Sequence, residues 1–261
     1  MEKYTLTFEE YFKNGCKGYE IVEIDELEVD KTSKGDVMPD FVKISDEIHR
    51  GDTYVRFIKD NVKFENGRLV LYATKDDTGY AGGAVKYKGR RFGKGLLEVK
   101  AKMPATMPGI WPKIFINGKN KNTFTDEIFA QIKGINDGGK NSFALWAYFT
   151  DAYGEHKNEY LHSGYQRWPS FYPTMDTDEP LSEGYHIYGY EKTDIDMIFY
   201  MDGKECFRID ISHPMFTVFD CEGILNFSLG ANLPRTEACN EETILPCSME
   251  VEYVKFYEEV K

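Results

Sequence analysis

The sequence predicts an all-β protein, an antiparallel β-sandwich or jelly roll, on three observations. Short runs that alternate apolar and polar residues recur from end to end of the 261-residue chain. Tight-turn pairs, Asn66-Gly67 and Asp202-Gly203, stand between such runs. No stretch keeps a helical period over three turns. Many short strands with turn signals at close spacing make a sandwich.

Taken in order, residues 55–75 read as two alternating runs joined at Glu65-Asn66-Gly67. Residues 95–104 (GLLEVKAKMP) alternate cleanly and stop at Pro104. Residues 110–118 and 126–134 are short apolar strands ended by glycine, and 143–151 and 185–194 follow as further strands. Residues 196–210 form a hairpin about Asp202-Gly203, and 223–231 and 249–259 close the series. Residues 20–50 are acidic and less regular, and 163–184 read as a long loop of the kind that often carries function. No repeat, low-complexity linker or composition break divides the chain. Residues 1–261 are therefore read as one domain, with 1–50 its less regular part.

Composition narrows the partners. Forty-four acids against 32 bases give a net charge of −12, which argues against nucleic acid and against an anionic membrane surface. A neutral partner is the natural inference. The aromatic content of 15% suits strands and supplies flat faces for sugars, although most such rings fill a sandwich core. The five cysteines (Cys16, Cys206, Cys221, Cys239, Cys247) show no metal-binding spacing. Cys239 and Cys247 lie close enough in sequence to bridge. The first residues, MEKYTLTFEEYFKNG, lack the apolar core of a signal peptide, and nothing is long and apolar enough to span a membrane. The compartment stays open between the cytoplasm and secretion with a leader removed.

The segment Thr125-Asp126-Glu127-Ile128-Phe129-Ala130-Gln131-Ile132-Lys133-Gly134 is where chemistry is expected. In a regular strand Glu127, Phe129 and Gln131 share one face, and Asp126 points the other way. A retaining glycosidase needs two carboxyl groups about 5–5.5 Å apart. Acids at i and i+4 start about 13 Å apart at the backbone, a gap long side chains largely close.

This segment resembles the DEIDIEFLG signature of family-16 glycoside hydrolases, the β-glucanase or lichenase type. Asp126, Glu127, Ile128 and Gly134 match it. The resemblance continues in order: Gly82-Gly83-Ala84 with Arg91 to Lys100 is similar to YGGAE…FGYGYYEVRMKP, and Pro108-Gly109-Ile110-Trp111-Pro112 to a GxWP turn. Tyr148-Phe149-Thr150 with Gly154-Glu155-His156 is similar to YYT…GGHE, Tyr185 to Tyr188 and Phe199 to Gly203 to FHTYAFDW…WYVDG, and 251–257 to VDYVRVY. It covers residues 55–261. It implies the concanavalin A-like jelly roll, a poly- or oligosaccharide partner, and no cofactor beyond a structural calcium whose ligands are unassigned.

The resemblance assigns Glu127 as nucleophile, the Phe129 position to a supporting Asp and the Gln131 position to the acid/base. An amide has no titratable proton, so Gln131 cannot protonate a leaving oxygen; loss of general acid catalysis typically costs about 10²–10⁴ in rate. Phe129 sets an apolar ring where the pattern has a polar support. Tyr87 and Val85 stand where the lichenase pattern has its arginine and acid, and Ala147 where it has Asn, so the sugar contacts are altered.

Trp111, Trp146 and Trp168 are candidate stacking platforms, with Tyr87, Tyr148 and His156 as further substrate contacts; His156 and His186 are candidate general bases that read more readily as strand-end structural residues. Three functions compete. The first is a non-hydrolytic glycan-binding protein that keeps the cleft. The second is an atypical endo-glycosidase or transglycosylase with Glu127 as nucleophile and an acid relocated to Asp151, Glu155, Glu159, Asp176, Asp178 or Glu179. The third is an interaction domain with a vestigial cleft.

Overall fold

The computed structural model describes residues 4–27, 54–120, 123–135, 140–150, 156–157, 174–175, 180–233 and 236–260. Along them run β1 (Tyr4–Glu10), β2 (Tyr19–Ile21), β3 (Ile24–Leu27), β4 (Tyr54–Phe57), β5 (Val62–Glu65), β6 (Arg68–Asp76) and β7 (Gly79–Ala81). Next come β8 (Gly83–Tyr87), β9 (Gly95–Lys102), β10 (Ile110–Asn120), β11 (Thr123–Gln131), β12 (Asn141–Thr150), β13 (His156–Lys157) and β14 (Thr174–Met175). The chain ends with β15 (His186–Lys192), β16 (Asp196–Met201), β17 (Lys204–Asp210), β18 (Gly223–Ala231) and β19 (Cys247–Glu259). Helix among the described residues is confined to 3-10 turns at Lys59–Asn61 and Pro214–Phe219.

Two antiparallel sheets make the sandwich. The first runs β17-β16-β15-β9-β19-β6-β5, with β1 also on β19 and β7 on β6. The second runs β13-β12-β11-β10-β18-β8-β2, with β14 also on β12. The turn residues do what their types allow: Asn66 and Gly67 have φ 53 and 69, Asp202 and Gly203 have φ 50 and 76. Two consecutive positive φ values give the hairpin turn that suits the strand twist. One expectation is refined. The run before Glu65 is two strands, because the Lys59–Asn61 turn breaks it and sends β4 to pair with β3 in a separate ribbon.

Alternation then decides burial. In β9, Leu97, Val99 and Ala101 point inward and are essentially unexposed, while their neighbours face out. They meet Ile114 and Ile116 of β10, Phe129 and Ala130 of β11, and Leu225, Phe227 and Leu229 of β18 in one core between the sheets. At about 25 cal/mol per Å² of apolar surface buried, this interior is the chief favourable term in folding. It leaves the far side of the second sheet as an outer face, on which a site can be built.

Candidate functional site

The outer face is set by β10, which pairs with β18 without interruption from Ile110↔Ala231 to Gly118↔Gly223. Ile110, Ile114 and Ile116 therefore point into the core, and Trp111, Lys113, Phe115 and Asn117 point out. From β18, Asn226 and Ser228 lie opposite Phe115 and Lys113 and share that face.

The other neighbour, β11, is irregular. Its register with β10 runs Asn117↔Asp126, Ile116↔Glu127 and Phe115↔Ile128, then shifts to Ile114↔Ala130 and Lys113↔Gln131. One extra residue sits in β11, and the same slip shows against β12 between Ile128↔Ala144 and Gln131↔Ser142. A bulge of one residue inverts the face of everything beyond it. The expectation that Glu127, Phe129 and Gln131 share a face is thereby corrected. Asp126, Ile128 and Gln131 face outward together, and Glu127, Phe129 and Ala130 face inward.

The inner cluster is a buried ion pair. Lys192 Nζ lies 2.9 and 3.1 Å from the Glu127 oxygens and 3.0 Å from the Cys221 carbonyl, with the Lys side chain 2% and the Glu side chain 0% exposed. The Tyr190 hydroxyl donates to Glu127 Oε2 at 2.6 Å, and Thr125 Oγ1 donates to Oε1 at 3.4 Å. Burial, then the Glu127 carboxylate, push the Tyr190 phenol well above its ordinary range, so it stays a donor. Phe129 stacks on Tyr190 with ring centroids 5.6 Å apart. Gly118, opposite Thr125, makes room: a Cβ there would lie 2.4 Å from Thr125 Oγ1 and 2.5 Å from Cys221 Sγ. Glu127 thus ties β11 to β15 across the sandwich. This removes it from any cleft.

The outer cluster is polar and self-bonded. Asn117 Nδ2 donates to Asp126 Oδ1 at 2.5 Å and Asn226 Nδ2 to Asn117 Oδ1 at 2.7 Å. Lys113 Nζ stands 3.9 Å from Asp126 Oδ2 and 3.7 Å from the Phe115 ring centroid, a cation–π contact. The Trp111 indole N–H donates to Gln131 Oε1 at 3.0 Å. Asn141 Oδ1 accepts from the Gln131 backbone N–H at 3.1 Å, and Ser142 Oγ lies 3.5 Å from its carbonyl.

The remaining predicted site residues fall out as follows. Trp111 is partly buried and packs beside Val22, Phe57, Ala84 and Leu233, with its N–H on Gln131. Tyr87 is corrected: with Val85 it faces the core side of β8, its ring 4.9 Å from Tyr19 and 5.4 Å from Phe8, while Lys86 turns outward to Glu20. Trp146 and Tyr148 lie in β12, Trp146 in register with Asp126, and His156 lies in β13; their side chains lie outside the described residues. Trp168 and the six acids offered as a relocated partner also lie outside them. His186 is paired through Nδ1 with Asp202 at 2.7 Å in the β15–β16 hairpin.

Sequence reasoning missed Lys113, Asn117, Asn226, Tyr190 and Lys192. A signal existed for Lys192. It follows Tyr188 and Tyr190 on one face of a strand, and a lysine on a core face requires a carboxylate partner. All five cysteines are free thiols, Cys239 and Cys247 included, and burial followed by the nearby Cys239 pushes the Cys247 thiol up to about 12. Among the described residues no group of three or more His, Cys, Asp or Glu side chains converges as a metal site would need, and no helix is long and apolar enough to cross a membrane.

With this geometry the molecule has the jelly roll of family-16 glycoside hydrolases. The laminarinase catalytic domain of Thermotoga maritima superposes with a TM-score of 0.72 at 18% identity over 100% of both chains. The endo-β-1,3-glucanase of Pyrococcus furiosus gives 0.70 at 15% identity, covering 99% of this chain and 95% of that one. An immunostimulatory antigen and pseudo β-1,3-glucanase of Mycobacterium tuberculosis gives 0.68 at 17% identity over 98% and 99%. No protein-family model matches the sequence, and no curated protein matches it.

Proposed function

We propose that the chain is a family-16-like carbohydrate-active protein that binds a poly- or oligosaccharide on the outer face of the second sheet and does not hydrolyse it. One observation carries this reading: Gln131, which the resemblance aligns with the acid/base, is fixed by the Trp111 N–H at 3.0 Å, while Glu127, which it aligns with the nucleophile, is locked to Lys192 in the core. Hydrolysis with retention requires a nucleophile and a proton donor facing one another over the scissile bond. Here the outward acid is Asp126, engaged by Asn117 and beside Lys113, and its strand companion is an amide. Neither group is free to do the work. The likeness to a laminarinase domain supports a β-glucan as the first ligand to try, and the likeness to a pseudo β-1,3-glucanase supports the absence of cleavage.

The test is titration calorimetry with laminarin oligosaccharides beside a reducing-end assay on the same samples. Binding without release of reducing ends is expected, and Trp111→Ala should abolish it. Steady release of reducing ends from an unactivated glucan would overturn the reading and revive a relocated acid.

A second reading, an interaction domain with a vestigial cleft, is favoured by one observation. Lys113, Asp126, Gln131, Asn226 and Ser228 are each no more than 6% exposed. Failure to bind any glycan, with the fold intact by circular dichroism, would select it.

A further inference from the structure

Resting on the glycan-binding reading, we propose that Glu237 is a positioning residue of the site, holding Trp111 and Gln131 together by clamping the ends of β10 and β11. The two strands are weakly laced where those residues meet. The β11 side still donates, Ile132 N–H to the Pro112 carbonyl at 3.3 Å and Gly134 N–H to the Ile110 carbonyl at 2.9 Å. The β10 side returns neither bond. Pro112 has no N–H, and the Ile110 N–H is spent on the Met107 carbonyl at 3.3 Å.

Glu237 supplies the missing tie. Its Oε1 accepts from the Gly109 N–H at 3.3 Å, just before β10, and from the Ile135 N–H at 2.5 Å, beyond the end of β11. A carboxylate oxygen has lone pairs for both donors. Gly134, at φ 56, makes the approach possible, because a Cβ there would collide with that carboxylate. Oε2 is buried without a partner, so all the holding falls to Oε1.

The rest of the 232–244 segment grips the β10 side. The Asn232 N–H donates to the Gly109 carbonyl at 2.8 Å, and the Thr243 hydroxyl to the Pro108 carbonyl at 2.8 Å. The Ile244 N–H lies 3.2 Å from Met107 Sδ. Among the described residues of this segment, Glu237 alone bonds to the ends of both strands. Trp111 lies two residues inside one of its bonds, and Gln131 four residues before the other. The clamp therefore fixes the two backbones from which the 3.0 Å bond between indole and carboxamide is made.

The experiment follows two quantities on the full chain. They are the affinity for laminarin oligosaccharides and the Trp111 indole N–H resonance, identified by its loss in Trp111→Phe. Glu237→Ala should weaken binding about tenfold and shift the resonance. Glu237→Gln keeps an oxygen for both N–H groups, so it should hold affinity within about twofold and leave the resonance in place. Thr243→Ala loosens the same segment on the β10 side alone and should also stay within about twofold. If the alanine variant does not fold, Glu237→Asp takes its place with the same expected loss, being one methylene too short to reach both donors. An unmoved resonance in Glu237→Ala would overturn the inference and leave glycan binding standing. So would failure of Glu237→Gln to rescue, or an equal loss in Thr243→Ala. A parent chain that binds no glycan overturns the glycan-binding reading, and the resonance still decides the role of Glu237.

Discussion

The two faces of β11 handle charge in opposite ways. Inward, Glu127 is fully desolvated and bound by an ammonium, a phenol and a hydroxyl, a closed set joining the two sheets. Outward, Asp126 and Gln131 join a looser and equally buried chain of amides and a lysine on the other face of one sheet. The inner pair joins the two sheets, whereas the outer row, also buried with Asp126 at 2% and Gln131 at 1% exposed, holds together strands of one sheet. One extra residue between Ile128 and Gln131 decides which acid lies on which side.

The largest expected effect breaks the inner pair. Glu127→Ala or Lys192→Met alone strands a buried charge and should lower unfolding stability by about 3–5 kcal/mol. Glu127→Leu combined with Lys192→Met removes both charges and should recover most of that loss. Urea unfolding of the three variants measures the coupling. Additive losses in the double variant would mean the ion pair is not the unit the geometry describes.

The inner face also carries a pH signature. Tyr190 has its phenol raised well above 10.0, by burial first and then by Glu127. A group with a raised folded pKa stabilises fully below its unfolded value, and that contribution is lost as pH rises through the folded one. Above pH 10 the unfolded phenol ionises and the folded one does not, a slope of about 1.4 kcal/mol per pH unit. Tyr190→Phe should cost about 1.5–3 kcal/mol at neutral pH, the worth of a hydrogen bond to a charged group. The same variant should unfold with a shallower alkaline limb than the parent. Parallel limbs from pH 8 to 11 would show that Tyr190 does not report the cluster.

How much of this was legible in the sequence follows from the same contrast. Strands whose alternation is unbroken were readable, and β9 with its Leu97, Val99 and Ala101 is the plain case. Turns built on Asn66-Gly67 and Asp202-Gly203 were readable because few residues tolerate positive φ. The site was readable as a strand and not as a face. Counting by twos from Glu127 to Gln131 assumes no bulge, and Ile128, Phe129 and Ala130 are apolar enough to fit either count. Tyr87 failed for a related reason. Its position along the chain was matched, but the side of the sheet was not.

A smaller effect is expected on the outer face. Asp126→Asn keeps an acceptor for the Asn117 amide while removing the charge near Lys113, and should cost about 1–2 kcal/mol. A loss as large as that of Glu127→Ala would mean the outer cluster carries the same structural weight as the inner one.

The smallest effect comes from an ion pair held by neither face. Arg56 Nη1 grips both oxygens of Asp76 at 2.9 and 2.8 Å across the end of β6, and Asp76 remains open to solvent. The Thr78 hydroxyl first, and then Arg56, hold the Asp76 carboxyl down at about 2. A depressed carboxylate contributes stability above its unfolded value of 3.8, and this is lost as pH falls toward 2. Water screens such a pair, so Asp76→Asn should flatten the acid limb of stability only slightly, with no change at neutral pH beyond experimental error. Measured beside Glu127→Ala, it isolates desolvation as the variable, because both pairs bring an acid and a base within 3 Å and only one of them is dry.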